Sequence, residues 1–370
     1  MRNHPIVEKF MELVAIDAVS LNERQLADKL TQELIELGCE VFEDGAGGKI
    51  NGNAGNLIAK FPGSLPGHIL FCAHMDRVEP GNGIKPQIKD GVIHSDGSTV
   101  LAGDDLTGIA AILNALKVVR QSGREHATVE VIFTVCEERG LAGSKNLDYS
   151  KIQAKSGYVL DTSGKVGRIV NRAPYKGTAT IEVFGKAAHA GNFPERGVNA
   201  IMAAAYMLSG LKEGRLDKYA TSNFGSIYGG GENIGTVCDY VKIRGELRNI
   251  NREELYGYYD YVKAYCESRI KETDAECKLD FILDYDGFEV PEDEHTMKFL
   301  TDTMLSMDIQ PQIETGMGGM DANNFNTQGI RSVGVAMGYR DPHALHETIV
   351  IEDLVRAGEL VEQLILNYRE

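Results

Sequence analysis

Histidines and carboxylates at five places along this chain are of the types that hold metal ions. Ala73-His74-Met75-Asp76 follows an apolar run over residues 69–72. An imidazole and a carboxylate thus emerge just past a strand end, where histidine can ligate a zinc-like ion and a carboxylate two residues on can orient the ring. A hydrogen-bonded structural histidine is an equally good reading of that pair alone. Gly103-Asp104-Asp105-Leu106-Thr107-Gly108 sets two carboxylates before a helical pattern through Ile109, Ile112, Leu113 and Leu116. They can cap the helix and favour its dipole, or bridge two cations. Cys136-Glu137-Glu138-Arg139-Gly140 follows a run over 129–135. Neighbours on an extended chain point opposite ways, so one glutamate can bind metal while the other faces a water. Asp161 ends the short run Val159-Leu160, and Pro342-His343-Ala344-Leu345-His346-Glu347 offers two further histidines, one of them a bystander.

These residues gain meaning from the elements that must carry them. Up to about residue 167 the pattern alternates between helix (6–16, 23–37) and short β-rich runs (56–61, 68–73, 128–135, 157–160), the order of an α/β sheet layered with helices on both faces. Open α/β sheets place ligands at strand C-terminal ends. Four strand-like runs of one largely parallel sheet, each ended by a metal-capable side chain, would gather His74, Asp104, Glu138 and Asp161 at one edge. A two-metal site needs such a mixture of imidazole and carboxylate with one bridging group.

Between about 174 and 289 the order changes to strand 177–184, helix 198–211, strands 224–228 and 241–250, helix 253–270 and strand 278–285. This βαββαβ order is that of a ferredoxin-like α+β sandwich. Helix 294–306, strand 332–337 and helix 352–368 then resume the first style. The expectation is one catalytic domain built from 1–173 and 290–370, with 174–289 inserted into it.

Composition narrows the chemistry. With 43% hydrophobic and 25% charged residues in 370, the chain is expected to fold around large cores. A net charge of -16 opposes a phosphate-binding surface, so nucleic acid is not an expected partner. No window approaches a membrane span and the start lacks a signal core. The six cysteines, without CxxC spacing, read as reduced thiols, and together these features point to the cytoplasm. A hairpin with Asp-Gly turns at Asp90-Gly91 and Asp96-Gly97 accounts for His94 without a metal. Gly316-Met317-Gly318-Gly319-Met320-Asp321 lacks the Lys and Ser/Thr of a phosphate loop, and GxGxxG does not follow the first strand, against a dinucleotide fold.

Taken in order, AHMD, GDD, EERG, LD, an inserted AAHAG segment and a final HxxHE resemble the di-zinc aminoacylase and carboxypeptidase G family of metallopeptidases over nearly the whole chain. Within it, they resemble the peptidase T (tripeptide aminopeptidase) branch most. The resemblance implies two divalent metal ions, zinc first, with cobalt and manganese suiting the same ligands. His74 and Asp161 would hold one ion, Glu138 the other, and Asp104 would bridge. Asp76 would orient His74, and Glu137 would be the general base for a water bridging the ions. The family spacing selects His343 as the last ligand, with Glu347 four residues on and His346 in reserve. The inserted domain is implied to be a lid and dimerisation domain: His189 would reach a partner's site, and Asn233 and Arg248 would hold the substrate. Gly319 and Asp321 are implied to line the site. The expected activity is hydrolysis of short peptides, tripeptides first, by a homodimer. A carboxypeptidase, dipeptidase or N-acyl amino-acid deacylase would use the same metals and base.

Overall fold

A computed structural model describes residues 4–369, which fall into two compact units. One contains the described residues up to Arg172 and from Phe288 onward; the other is Ala173–Gly287.

The first unit is built on a nine-stranded mixed sheet. Its centre is four parallel neighbours, in the order Ala127–Thr134, Leu65–His74, Ser156–Thr162 and Arg331–Ala336. Strands Glu40–Glu43 and Leu57–Phe61 extend one side antiparallel, and Arg168–Ala173 turns the other side antiparallel. Residues Ile69 to Ala73 are fully buried, so both faces of the strand are covered, as parallel sheets require. Ala73 faces the helix Gly103–Ser122: a Cβ added to Gly108 would lie 3.0 Å from the Ala73 Cβ and 2.9 Å from that of Leu160. Its neighbour Cys72 faces the other way, with Sγ 3.6 Å from the Asp321 carboxylate beside the short helix Ala322–Thr327. The helix Gly103–Ser122 is buried almost all round, with Pro5–Val14 and Ile351–Asn367 packed against it.

The mixed, largely parallel sheet expected from the sequence is therefore present. Three of the four anticipated strand ends are as well: His74 and Asp161 lie in the last residues of their strands, and Glu138 lies four residues past Thr134. Asp104 is the exception. It stands in the first turn of the helix Gly103–Ser122, where its φ of -83° and ψ of 104° are not helical, and the strand before it, Val92–His94, belongs to another sheet. Strands Gln87–Lys89 and Val92–His94 form the expected hairpin around Asp90-Gly91, both at positive φ. His94 pairs there with Gln87 and Thr348.

The second unit is a five-stranded antiparallel sheet in the order Gly214–Asp217, Ala220–Gly229, Tyr240–Asn249, Tyr175–Phe184 and Glu276–Tyr285. Apart from the short edge strand 214–217, this is the ferredoxin-like arrangement. Alternation along two strands sends Ile181, Val183, Val241 and Ile243 to one face, where Ala203, Ala204 and Met207 of the helix Ala200–Leu208 and Val262, Cys266 and Ile270 of the helix Arg252–Ile270 cover them. Among the described residues of the chain, no helix is long and apolar enough to cross a membrane.

Candidate metal centre

The C-terminal edge of the parallel strands brings His74, Asp104, Glu138, Asp161 and His343 together as two overlapping sets. His74, Asp104 and Asp161 form one, and Asp104, Glu138 and His343 the other, each with ligand-type atoms within 4.8 Å of one another. Asp104 belongs to both through different oxygens. Its Oδ1 lies 3.1 Å from His74 Nε2, and its Oδ2 lies 3.3 Å from His343 Nε2. His343 Nε2 also stands 2.9 Å from Glu138 Oε1, and His74 Nε2 stands 4.0 Å from Asp161 Oδ1. His343 is thus the histidine that reaches the cluster; His346 is exposed and belongs to neither set.

The two readings of the adjacent aspartates divide between them. Asp105 is the capping residue: its Oδ1 accepts from the Gly108 N–H at 3.3 Å and its Oδ2 from the His74 N–H at 3.3 Å. That frees Asp104 to face the cluster. Glu347 holds the turn from behind, with Oε2 accepting from the N–H groups of Leu101 and Ala102 at 2.9 Å each and Oε1 from the Asp104 N–H at 3.0 Å. Gly103 is required here, because a Cβ would meet Glu347 Oε1 and the Tyr339 Cβ, each at 2.9 Å.

Asp76 orients His74 through its main-chain carbonyl, 2.9 Å from Nδ1, and not chiefly through its carboxylate, whose Oδ1 is 3.5 Å away. The carboxylate does something else. It accepts from the backbone N–H of Glu137 at 2.8 Å and of Glu138 at 3.3 Å, with Ser20 Oγ donating to it at 2.6 Å. One buried aspartate therefore fixes the backbone that carries both glutamates. The Glu137 carboxylate belongs to neither ligand set.

The electrostatics match that crowding. Burial, then the negative Asp161, push the Glu137 carboxyl well above the usual carboxylate range. Burial and the neighbouring Asp104 push Asp161 up likewise, and burial raises Glu138. Hydrogen bonds to Asp104 and Glu138 hold His343 up to about 10. Carboxylates packed this closely oppose one another's ionisation unless positive charge is supplied. A mixed set of imidazoles and carboxylates of this kind fits divalent cations of the zinc, cobalt and manganese type.

The lid residues expected from the sequence all lie in the second unit. His189 and Thr236 are paired, and Asn233 joins them through Nδ2 to Thr236 Oγ1 at 3.3 Å. His189 Nδ1 accepts from the backbone N–H groups of Gly191 and Asn192 at 3.1 and 3.0 Å, so a neutral ring carries its proton on Nε2. Arg248 lies on the strand Tyr240–Asn249 and bonds Glu246 through Nε and Nη2 at 3.0 and 3.2 Å. Asp321, implied to line the site, is buried, its Oδ2 accepting from Thr134 Oγ1 at 2.6 Å.

Two residues escaped the sequence reading. Tyr339, buried in Gly338-Tyr339-Arg340, sends its hydroxyl to Asp161 and Asp104. It follows the strand Arg331–Ala336, so the strand-end signal that found the others applied to it too. Glu23 is fully buried, with Oε1 accepting from Leu21 and Cys136 N–H groups and Oε2 without a partner among the described residues. Burial, then Asp76, push it up to about 7 from 4.5. A carboxyl whose folded-state pKa is raised stabilises the fold fully below its unfolded pKa, and that stabilisation is lost as pH rises through the folded value. Glu23→Gln is therefore expected to raise the thermal midpoint over wild type at pH 8, by an equivalent of about 1–3 kcal/mol, with little difference at pH 4.5. Equal shifts at both pH values would contradict this.

Residues 70–367 match the description "Peptidase family M20/M25/M40". An uncharacterized Bacillus subtilis (strain 168) protein, YqjE, is 36% identical over 361 residues, covering 97% of each chain. The crystal structure of aminopeptidase PepT from Bacillus cereus ATCC 10987 is 39% identical, with a TM-score of 0.87 over 98% of this chain and 97% of that one. A tripeptidase structure from Staphylococcus aureus subsp. aureus Mu50 is 32% identical, with a TM-score of 0.91 over 98% and 97%.

Proposed function

The chain belongs to peptidase family M20/M25/M40 and is a hydrolase acting on peptide bonds; from that premise we propose that it is a two-metal aminopeptidase of the peptidase T kind, removing the N-terminal residue from short peptides, tripeptides first. The observation that carries the reading is Asp104, whose two oxygens face two different histidines. His74, Asp104 and Asp161 would hold one divalent ion and Asp104, Glu138 and His343 the other, with zinc the first candidate and cobalt or manganese suiting the same donors. When bound, such a pair polarises a peptide carbonyl and acidifies a water.

Glu137 is the residue that moves the proton. Its carboxylate takes one from the attacking water as the new C–O bond forms, and delivers it to the departing amine as the C–N bond breaks. Asp76 keeps that carboxylate at a fixed height by anchoring the Glu137 N–H. Because Glu138 takes a ligand position, the adjacent base stays free of the metals.

The second unit serves as lid and dimerisation domain in this reading. With Nδ1 already accepting two N–H groups, His189 presents Nε2–H as a donor, suited to an oxyanion in the partner subunit's site. Exposed Ile201, Met202, Tyr206, Ile227 and Tyr228 supply an apolar surface of the kind that dimers bury. Asn233 and Arg248 are the substrate-holding candidates. The free state of all six cysteines supports a reducing, cytoplasmic setting.

The Bacillus cereus structure, an aminopeptidase PepT, and the Staphylococcus aureus structure, a tripeptidase, support the substrate class. A side-by-side assay of tripeptides, N-acetylated tripeptides, dipeptides and N-acyl amino acids tests it. Free tripeptides should be cleaved with kcat/KM about 10-fold or more above dipeptides, releasing the N-terminal residue, while the acetylated forms resist. Activity confined to acyl amino acids, or release of the C-terminal residue, would sink the aminopeptidase reading.

A further inference from the structure

Tyr339 is among the largest side chains buried in the molecule, and its hydroxyl ends among the ligand carboxylates. Oη lies 3.1 Å from Asp161 Oδ1 and 3.3 Å from Asp104 Oδ1. Both are the oxygens on the His74 side of the cluster: Asp104 Oδ1 is the atom 3.1 Å from His74 Nε2, whereas its Oδ2 faces His343. The phenol therefore touches Asp161 and the His74-facing oxygen of the shared Asp104.

Its own position is fixed at three points. Tyr339 pairs with Ile349 in a short two-stranded ladder, its carbonyl accepts from the Gly164 N–H at 2.7 Å, and its Cβ fills the space left by the missing side chain of Gly103. A phenol has one proton to donate. Shared between the two Oδ1 atoms, that proton holds them toward one point and limits how far the Asp104 side chain can turn away from His74. It acts through Asp104 and Asp161 and not on substrate.

We infer that Tyr339 is a positioning residue for one of the two cation loci, that of His74 and Asp161, its buried hydroxyl setting the spacing of the Asp104 and Asp161 oxygens there; the inference rests on the two-cation reading above. Partners that orient metal ligands from outside the first ring of contacts typically change affinity 10- to 100-fold when removed. Here the change should fall on one locus alone.

Tyr339→Phe keeps the ring and its packing and removes only the hydroxyl, so the fold is retained, which the thermal midpoint of the metal-free protein checks. Cobalt(II) is the probe, titrated against a competing chelator while its visible absorption is followed. Wild type should bind two ions. In Tyr339→Phe one dissociation constant should rise about 10- to 100-fold, with a changed absorption spectrum for that ion, and the other should stay within twofold. In a His343→Ala background, which disables the other locus, adding Tyr339→Phe should weaken the remaining ion by the same factor. Peptidase activity of the single variant should recover at excess metal. Two unchanged constants, two constants weakened alike, or a His343→Ala ion indifferent to Tyr339→Phe would each overturn the assignment while leaving the two-cation reading intact. Wild type binding fewer than two ions would overturn that reading, and the assignment with it.

Discussion

Glu137→Gln is expected to lower kcat by about 10²- to 10⁴-fold with little change in KM, while the protein retains about two metal ions per chain. The substitution keeps the shape of the side chain and the N–H bond from residue 137 to Asp76. It removes only the ability to take a proton. Because Glu137 stands outside both ligand sets, metal content should not follow activity. Stability offers a second, independent reading. Burial pushes the Glu137 carboxyl well upward, so a neutral amide there should leave the metal-free protein at least as stable as wild type. Loss of an ion together with activity would mean that Glu137 is a ligand and that the roles of the two glutamates are exchanged.

Asp104→Asn should be the most damaging single change to metal binding. Asp104 alone is common to both sets, so losing its charge weakens two ions at once, where Asp161→Asn or Glu138→Gln weakens one. Outer partners of metal ligands are already worth 10- to 100-fold in affinity, so a shared ligand should cost about 100-fold or more at each locus. Turnover should drop by about 10³-fold or more at micromolar metal. Isothermal titration with zinc would separate the cases. Asp104→Asn should show both transitions displaced; displacement of only one would remove Asp104 from its bridging place.

Much of this centre is legible in the sequence, and the reason is geometric. Parallel strands buried on both faces read as unbroken apolar runs, and the first polar residue beyond such a run must emerge at the C-terminal edge. His74, the pair Glu137-Glu138 and Asp161 are readable for that cause. Asp104 stands out by type, but it enters not from a strand end but from a helix start, where Asp105 takes the capping duty and Glu347 grips the backbone. That grip joins residues 243 or more positions apart, which no local pattern reveals. Tyr339 follows the strand Arg331–Ala336 and so falls under the strand-end rule, but its contact with Asp161, across 178 positions, is not readable from it. The choice between His343 and His346 depends on loop direction, since the two lie three residues apart with similar neighbours, and it rested on family spacing. The ferredoxin-like order was readable from alternation along 241–247 and 279–283. Short edge strands such as Gly214–Asp217 and Gln312–Thr315 carry too few apolar residues to announce themselves.

The most direct test of the central claim is a metal titration of the native chain followed by activity. Protein stripped with chelator should be inactive on a tripeptide, take up two divalent ions per chain, and recover turnover as they bind. Full activity in the stripped protein, or saturation at fewer than two ions per chain with full activity, would contradict the account.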